Sequence, residues 1–207
     1  MRTLRLVAFL LLTTAMLAGV SPAYAHVPYI EWEDYTEEAP AIVRNVEQSK
    51  AFYAWLQSAD DVDYYRLQVQ GPTRLFAQVI VPVCPGYEEF RPSFAVIGPG
   101  LPDPIGELPV LLPEGYGAII VPNGTPGQPR ESFYEPFGGK SYYDGPLFDQ
   151  TVEIPGDWQL ITWDPYGMGG DYVTVLGAGE EFAPADILRS IRNTLIIRRN
   201  GELHTDC

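Results

Sequence analysis

The sequence predicts an all-β protein, an antiparallel β-sandwich or jelly roll closed by one short C-terminal α-helix. Short apolar runs recur at roughly 8–15-residue spacing between Ile42 and Leu176, with Pro or Gly between them and no helical period among them. Gly and Pro number 20 each, and aromatic residues make up 13% of the 207-residue chain, which suits packed strands and argues against disorder. A parallel α/β sheet would need crossover helices, and no helical pattern occurs before the tail.

The elements follow in chain order. Residues 1–25 read as a secretory signal: Arg2 and Arg5 supply the positive start, residues 6–20 are apolar, and Ala23-Tyr24-Ala25 is a small-residue cleavage pattern. The apolar run is short for a membrane span, so no span is expected after cleavage. Residues 26–41 form an extended segment, 42–180 the sandwich, and 181–207 a helix and tail.

Within the sandwich, residues 51–56 are an aromatic-rich strand ended by Ser58-Ala59-Asp60-Asp61. Residues 63–69 alternate, with Tyr65, Leu67 and Val69 on one face and Arg66 and Gln68 on the other. Residues 74–83 are apolar enough to be buried on both faces. Further strands fall at 93–97, 117–121, 151–154, 158–163 and 171–176, separated by a Pro-rich loop over 101–113 and a long connection over 125–148. Trp158, Leu160 and Thr162 share one face of their strand, opposite Gln159, Ile161 and Trp163. Pro184 and Asp186 then open a helix in which Ile187, Leu188, Ile191 and Leu195 repeat at helical spacing, and which is expected to dock on the acidic body.

Charge narrows the partners. The net charge is −14, and losing the leader would leave 11 basic against 27 acidic residues. Such a surface repels nucleic acid and anionic lipid. Export also permits a disulfide between Cys84 and Cys207, the only two cysteines.

Two stretches resemble the bacterial pre-peptidase C-terminal domain, a small secreted β-sandwich. Asp61-Val62-Asp63-Tyr64-Tyr65-Arg66-Leu67-Gln68-Val69 is similar to that family's D-W-Y-x-h-x-V strand. Ile154-Pro155-Gly156-Asp157-Trp158-Gln159-Leu160, followed by Gly169-Gly170-Asp171-Tyr172-Val173-Thr174-Val175, is similar to its closing pair of strands. Ser93-Phe94-Ala95-Val96-Ile97-Gly98-Pro99-Gly100 resembles the central strand and its turn. The resemblance covers residues 42–176 and implies a secreted accessory module for substrate binding or enzyme maturation, some members of which bind calcium.

Candidate chemistry is sparse. The two histidines lie near the ends of the mature chain, and no G-x-S-x-G, H-E-x-x-H or phosphate-binding loop is present, so no enzyme is expected. Cleavage after Ala25 would make His26 an N-terminal α-amine and imidazole chelate suited to copper, with His204 as the second imidazole. Asp60, Asp61 and Asp63 offer a start for calcium. Tyr134, Phe137, Tyr142 and Tyr143 lie in a Gly-rich connection and form a candidate platform for an extracellular protein or polysaccharide. The function these readings support is a secreted, non-catalytic binding module, with metal binding as the alternative.

Overall fold

The computed structural model describes residues 26–199, and in them the sandwich and the single helix are both present. The strands are β1 (Val27–Ile30), β2 (Ala41–Val43), β3 (Lys50–Leu56), β4 (Val62–Val69), β5 (Thr73–Pro82), β6 (Ser93–Pro99), β7 (Tyr116–Val121), β8 (Ser132–Glu135), β9 (Lys140–Tyr143), β10 (Leu147–Val152), β11 (Gly156–Trp163) and β12 (Gly170–Leu176). The helix α1 spans Pro184–Arg199. The 7-stranded sheet runs β1-β3-β12-β5-β9-β8, with β10 also on β5, and the 5-stranded sheet runs β2-β4-β11-β6-β7. No helix among the described residues is long and apolar enough to cross a membrane.

The alternation read from the sequence sets which side chains meet between the sheets. Tyr65, Leu67 and Val69 of β4 and Trp158 and Leu160 of β11 point inward, against Phe52, Val79 and Tyr172 of the larger sheet. Trp158 is seated by Gly98, where an added Cβ would fall 2.2 Å from the indole, and its Nε1 donates to Ile154 O at 3.0 Å. That indole fills the core where a side chain on β6 would otherwise project.

The expectation of uniformly antiparallel pairing needs correcting at two edges. β1 lies parallel to β3, and β2 parallel to β4. Residues 31–40 pass from one sheet to the other, so the same short segment supplies an outer strand to each, a course no hairpin produces. This also covers edges that would otherwise present unpaired backbone groups. The strand expected at 151–154 instead lies at Leu147–Val152, because pairing with β5 from Leu147↔Gln78 to Val152↔Thr73 sets its register. Phe148 and Val152 turn inward, while Asp149 meets Arg74 at 2.7 Å.

Both sheets have apolar outer faces, and each is covered differently. On the smaller sheet, Leu108, Val110 and Leu112 of the Pro-rich loop pack over Ala95, Ile97, Ile161 and Trp163. On the larger, Ala51, Tyr53, Ile80, Val173 and Val175 are met by Tyr142 of β9 and Ile197 of α1. This second cover is incomplete and leaves a cleft.

α1 begins as its sequence dictates, with Pro at the first turn and the Ala183 N–H donating to Asp186 Oδ2 at 3.0 Å. It docks on the body as expected, but through the side bearing Asp186, Asn193 and Ile197. The apolar repeat faces outward: Ile187, Leu188, Ile191 and Leu195 are all exposed.

Candidate functional site

The cleft lies on the outer face of the larger sheet, between the β8–β9 hairpin and the start of β1 at His26 and Pro28. Its volume is about 570 Å³. Alternate residues of three neighbouring strands make the floor: Ala51 and Tyr53 of β3, Val173 and Val175 of β12, and Phe76 and Ile80 of β5. Phe133, Phe137 and Tyr142 form one wall, and His26 and Ser49 lie at its end. The rings of Phe133 and Tyr142, which are cross-strand partners, stand 6.2 Å apart.

The polar groups on this lining are held in place. His26 Nδ1 and Ser49 Oγ share a 2.5 Å hydrogen bond, and burial lowers the imidazole's pKa more than the charge of Glu135 raises it. Glu135 Oε1 accepts the N–H of Phe137 at 2.7 Å and its Oε2 accepts that of Gly138 at 2.5 Å, so this carboxylate fixes the hairpin turn. On the far side of that turn Arg198 Nε donates to Phe137 O at 2.8 Å, tying helix to hairpin.

The four candidate platform aromatics part company. Phe137 and Tyr142 line the cleft. Tyr134 points away from it and is 63% exposed. Tyr143 lies under the Arg130 guanidinium, 4.0 Å from its ring centroid, and packs on the inter-sheet core. Arg130 in turn donates to the carbonyls of Tyr87 and Phe90, at 2.6 and 2.8 Å. The floor residues carry no motif; their only signal is the mostly apolar make-up of β3, β5 and β12, strands with two largely buried faces.

A second cluster sits inside one end of the sandwich. Asp63 at the start of β4, Glu31 after β1 and the nearby Asp34 bring carboxylate oxygens within 4.8 Å of one another. Asp63 is fully buried and Glu31 is 3% exposed. Glu31 accepts the backbone N–H of Tyr35 at 3.0 Å and of Trp55 at 2.7 Å. The Tyr172 hydroxyl donates to Asp63 Oδ2, and the Tyr65 and Tyr172 hydroxyls are 3.0 Å apart. Oδ1 of Asp63 and Oδ1 of Asp34 have no hydrogen-bond partner. Burial pushes Glu31 up to about 7, and burial together with the Glu31 charge drives Asp63 upward as well.

Asp60 and Asp61, grouped with Asp63 by sequence, serve the β3–β4 turn instead. Asp61 Oδ2 accepts the Gln57 N–H at 2.6 Å and Asp60 Oδ1 accepts the Ser58 hydroxyl at 2.8 Å. The partners of Asp63 come from a segment 30 residues upstream in which neither Glu31 nor Asp34 stands out by spacing. His26 lies on the outer face of the larger sheet, whereas Glu31 and Asp63 hold the cluster inside one end. His204 and Cys207 fall outside the described residues; Cys84 is buried and is not a free thiol.

Fold and site together define a β-sandwich with an open, largely apolar cleft on an outer face. No protein-family model and no curated protein matches the sequence. Among solved structures, the chain is similar to PliG of Aeromonas hydrophila, a periplasmic lysozyme inhibitor of g-type lysozyme, with 11% identity, 72% of this chain and 97% of that one covered, and a TM-score of 0.38. PliG of Salmonella Typhimurium, an inhibitor of the same kind, shows 13% identity over 67% of this chain and 96% of its own, with a TM-score of 0.35. CorA, a surface-associated copper-binding protein of Methylomicrobium album BG8, shows 12% identity over 78% and 87%, with a TM-score of 0.16. None of these three is a pre-peptidase C-terminal domain.

Proposed function

We propose that this chain is an exported, non-catalytic β-sandwich that binds an extracytoplasmic protein or polysaccharide through the cleft on its larger sheet. The observation that carries this reading is a cleft floor of six apolar side chains, interrupted by Gln78, left open beside the β8–β9 hairpin. An aliphatic floor with an aromatic wall suits an inserted apolar side chain or the face of a sugar ring. The leader-like residues 1–25 and the acidic body agree with export, and the accessory role implied by the pre-peptidase resemblance is of the same kind. Non-catalytic action fits the lining, since Glu135 spends both oxygens on backbone N–H groups.

The test is a display of soluble glycans and of aromatic-bearing peptides against the protein purified after export. Phe76→Arg, which sets a cation at a half-buried position of the cleft floor, and Phe137→Ala, which removes the wall, are each expected to weaken binding at least about tenfold with the fold intact. Retention unchanged in both variants overturns the reading.

The acid cluster favours a second reading, in which the protein holds a structural cation. Two buried carboxylates and a half-buried third that approach this closely must share protons or share a positive ion, and an all-oxygen set suits calcium rather than copper. Calcium is expected to raise the thermal midpoint of the wild type and leave that of Asp63→Asn unchanged. Equal midpoints in calcium and in chelator overturn this second reading.

A further inference from the structure

α1 meets its own domain through the less apolar of its two sides. Gln48 Nε2 donates to Asp186 Oδ2 at 2.8 Å, Asn193 Nδ2 donates to Pro28 O at 2.9 Å, and Ile197 is 1% exposed. With about 3.6 residues per turn, the opposite side carries Ile187, Leu188, Ile191 and Leu195. These are 54%, 73%, 58% and 49% exposed, and nothing among the described residues covers them. Phe137 and Phe182 flank the stripe and deepen it into a trough of about 390 Å³. An aliphatic stripe presented to solvent while the polar side is docked marks an interface.

We propose that the stripe is covered by a second copy of this chain, in a two-fold, antiparallel pairing of α1 with α1. The stripe is self-complementary: Ile187 and Leu195 lie four residues either side of Ile191. A dyad at Ile191 therefore sets Ile187 of one protomer against Leu195 of its partner, and Ile191 against itself. The charges agree. Glu180 and Glu181 lead into the helix and Arg198 and Arg199 end it, so antiparallel pairing opposes acid to base, whereas parallel pairing opposes like to like. The helix dipoles also run head to tail in that arrangement. An anionic membrane is the poorer occupant, because Glu180 and Glu181 stand exposed at one end of the stripe and the whole chain carries a net charge of −14. One helix face is narrow beside the roughly 800 Å² per partner of a standard interface, so the dimer dissociates in the micromolar range.

Analytical ultracentrifugation of the protein purified after export, from about 1 to about 500 µM, tests this. The wild type is expected to pass from monomer to dimer across that range. Ile191→Glu, which places two carboxylates at the dyad on an already exposed position, is expected to stay monomeric with an unchanged circular dichroism spectrum. Glu181→Arg and Arg199→Glu are each expected to weaken the dimer about tenfold, and the two together to restore it. A monomer at every concentration overturns the proposal, as does a dimer that survives Ile191→Glu. Flotation of the monomer with vesicles of equal parts phosphatidylglycerol and phosphatidylcholine, lost in Ile191→Glu, overturns it in favour of lipid.

Discussion

The hydroxyl of Tyr172, on β12 of the larger sheet, donates to Oδ2 of Asp63, on β4 of the smaller one. It is a polar tie across the largely apolar interior of the sandwich. Both residues are nearly or wholly buried, and the Tyr65 hydroxyl extends the tie at 3.0 Å. Buried polar groups in such a network hold the sheets in one mutual position, because any other leaves an oxygen without a donor.

Removing the donor while keeping the ring isolates that contribution. Tyr172→Phe preserves the packing against Tyr65 and leaves Asp63 with one donor fewer. A loss of about 1–3 kcal/mol is expected, the cost of stranding a buried acceptor, measured as a lower urea midpoint at unchanged slope. An unchanged midpoint would mean that Asp63 recruits another donor without cost.

The same cluster gives the fold a pH dependence of defined sign. Burial raises the folded pKa of Glu31 from an ordinary 4.5 to about 7, so the folded state holds this proton more tightly than the unfolded chain does. That contribution is fully present below the unfolded value and is lost as pH rises through the folded one. In chelator, stability should therefore fall by on the order of 3 kcal/mol between about pH 5 and about pH 8, with Asp63 acting in the same direction. Glu31→Gln should flatten the profile. Urea titrations at the two pH values check both statements, and calcium should abolish the fall if a cation replaces the protons.

Close packing at Gly98 predicts a sharp contrast between two glycines. A methyl group there would lie 2.2 Å from the Trp158 ring, which is 2% exposed and anchored to Ile154 O, so the ring has nowhere to move. Gly98→Ala is expected to cost about 3 kcal/mol or more. At Gly71, in the β4–β5 turn, an added Cβ meets nothing within 4 Å, so Gly71→Ala should fall within about 0.5 kcal/mol of wild type. Thermal denaturation of the two variants side by side measures the contrast.

Legibility followed periodicity. Tyr65-Leu67-Val69 and Trp158-Leu160-Thr162 announce their inward faces because a two-residue period survives whatever lies across the core. β1 and β2 are too short to show a period, and their parallel placement depends on partners more than 20 residues away. Of the cleft, the sequence marks Phe137 and Tyr142 as platform aromatics and His26 only as a copper chelate, while its floor is made largely of the apolar residues of β3, β5 and β12. The acid cluster was visible only as Asp63, since Glu31 and Asp34 arrive there by the fold of the N-terminal segment. In α1 the stripe itself was plain, while the side by which the helix docks was set by Asp186 and Asn193 finding acceptors and donors on the body.

His26 offers a direct readout of the cleft. Burial against the wall lowers its pKa below the usual 6.5, and the charge of Glu135 offsets this only in part. An imidazole of lowered pKa favours the folded state in its neutral form, a contribution present above the unfolded pKa and lost as pH falls from there through the folded one. The sequence holds two histidines, so comparison with His26→Asn assigns its ring signals in a carbon–proton correlation spectrum. The expected titration lies below 6.5, and Glu135→Gln, which removes the opposing charge, should move it lower still. A ligand that fills the cleft displaces water from the same wall and should lower it further, whereas one bound elsewhere on the sandwich would leave it in place.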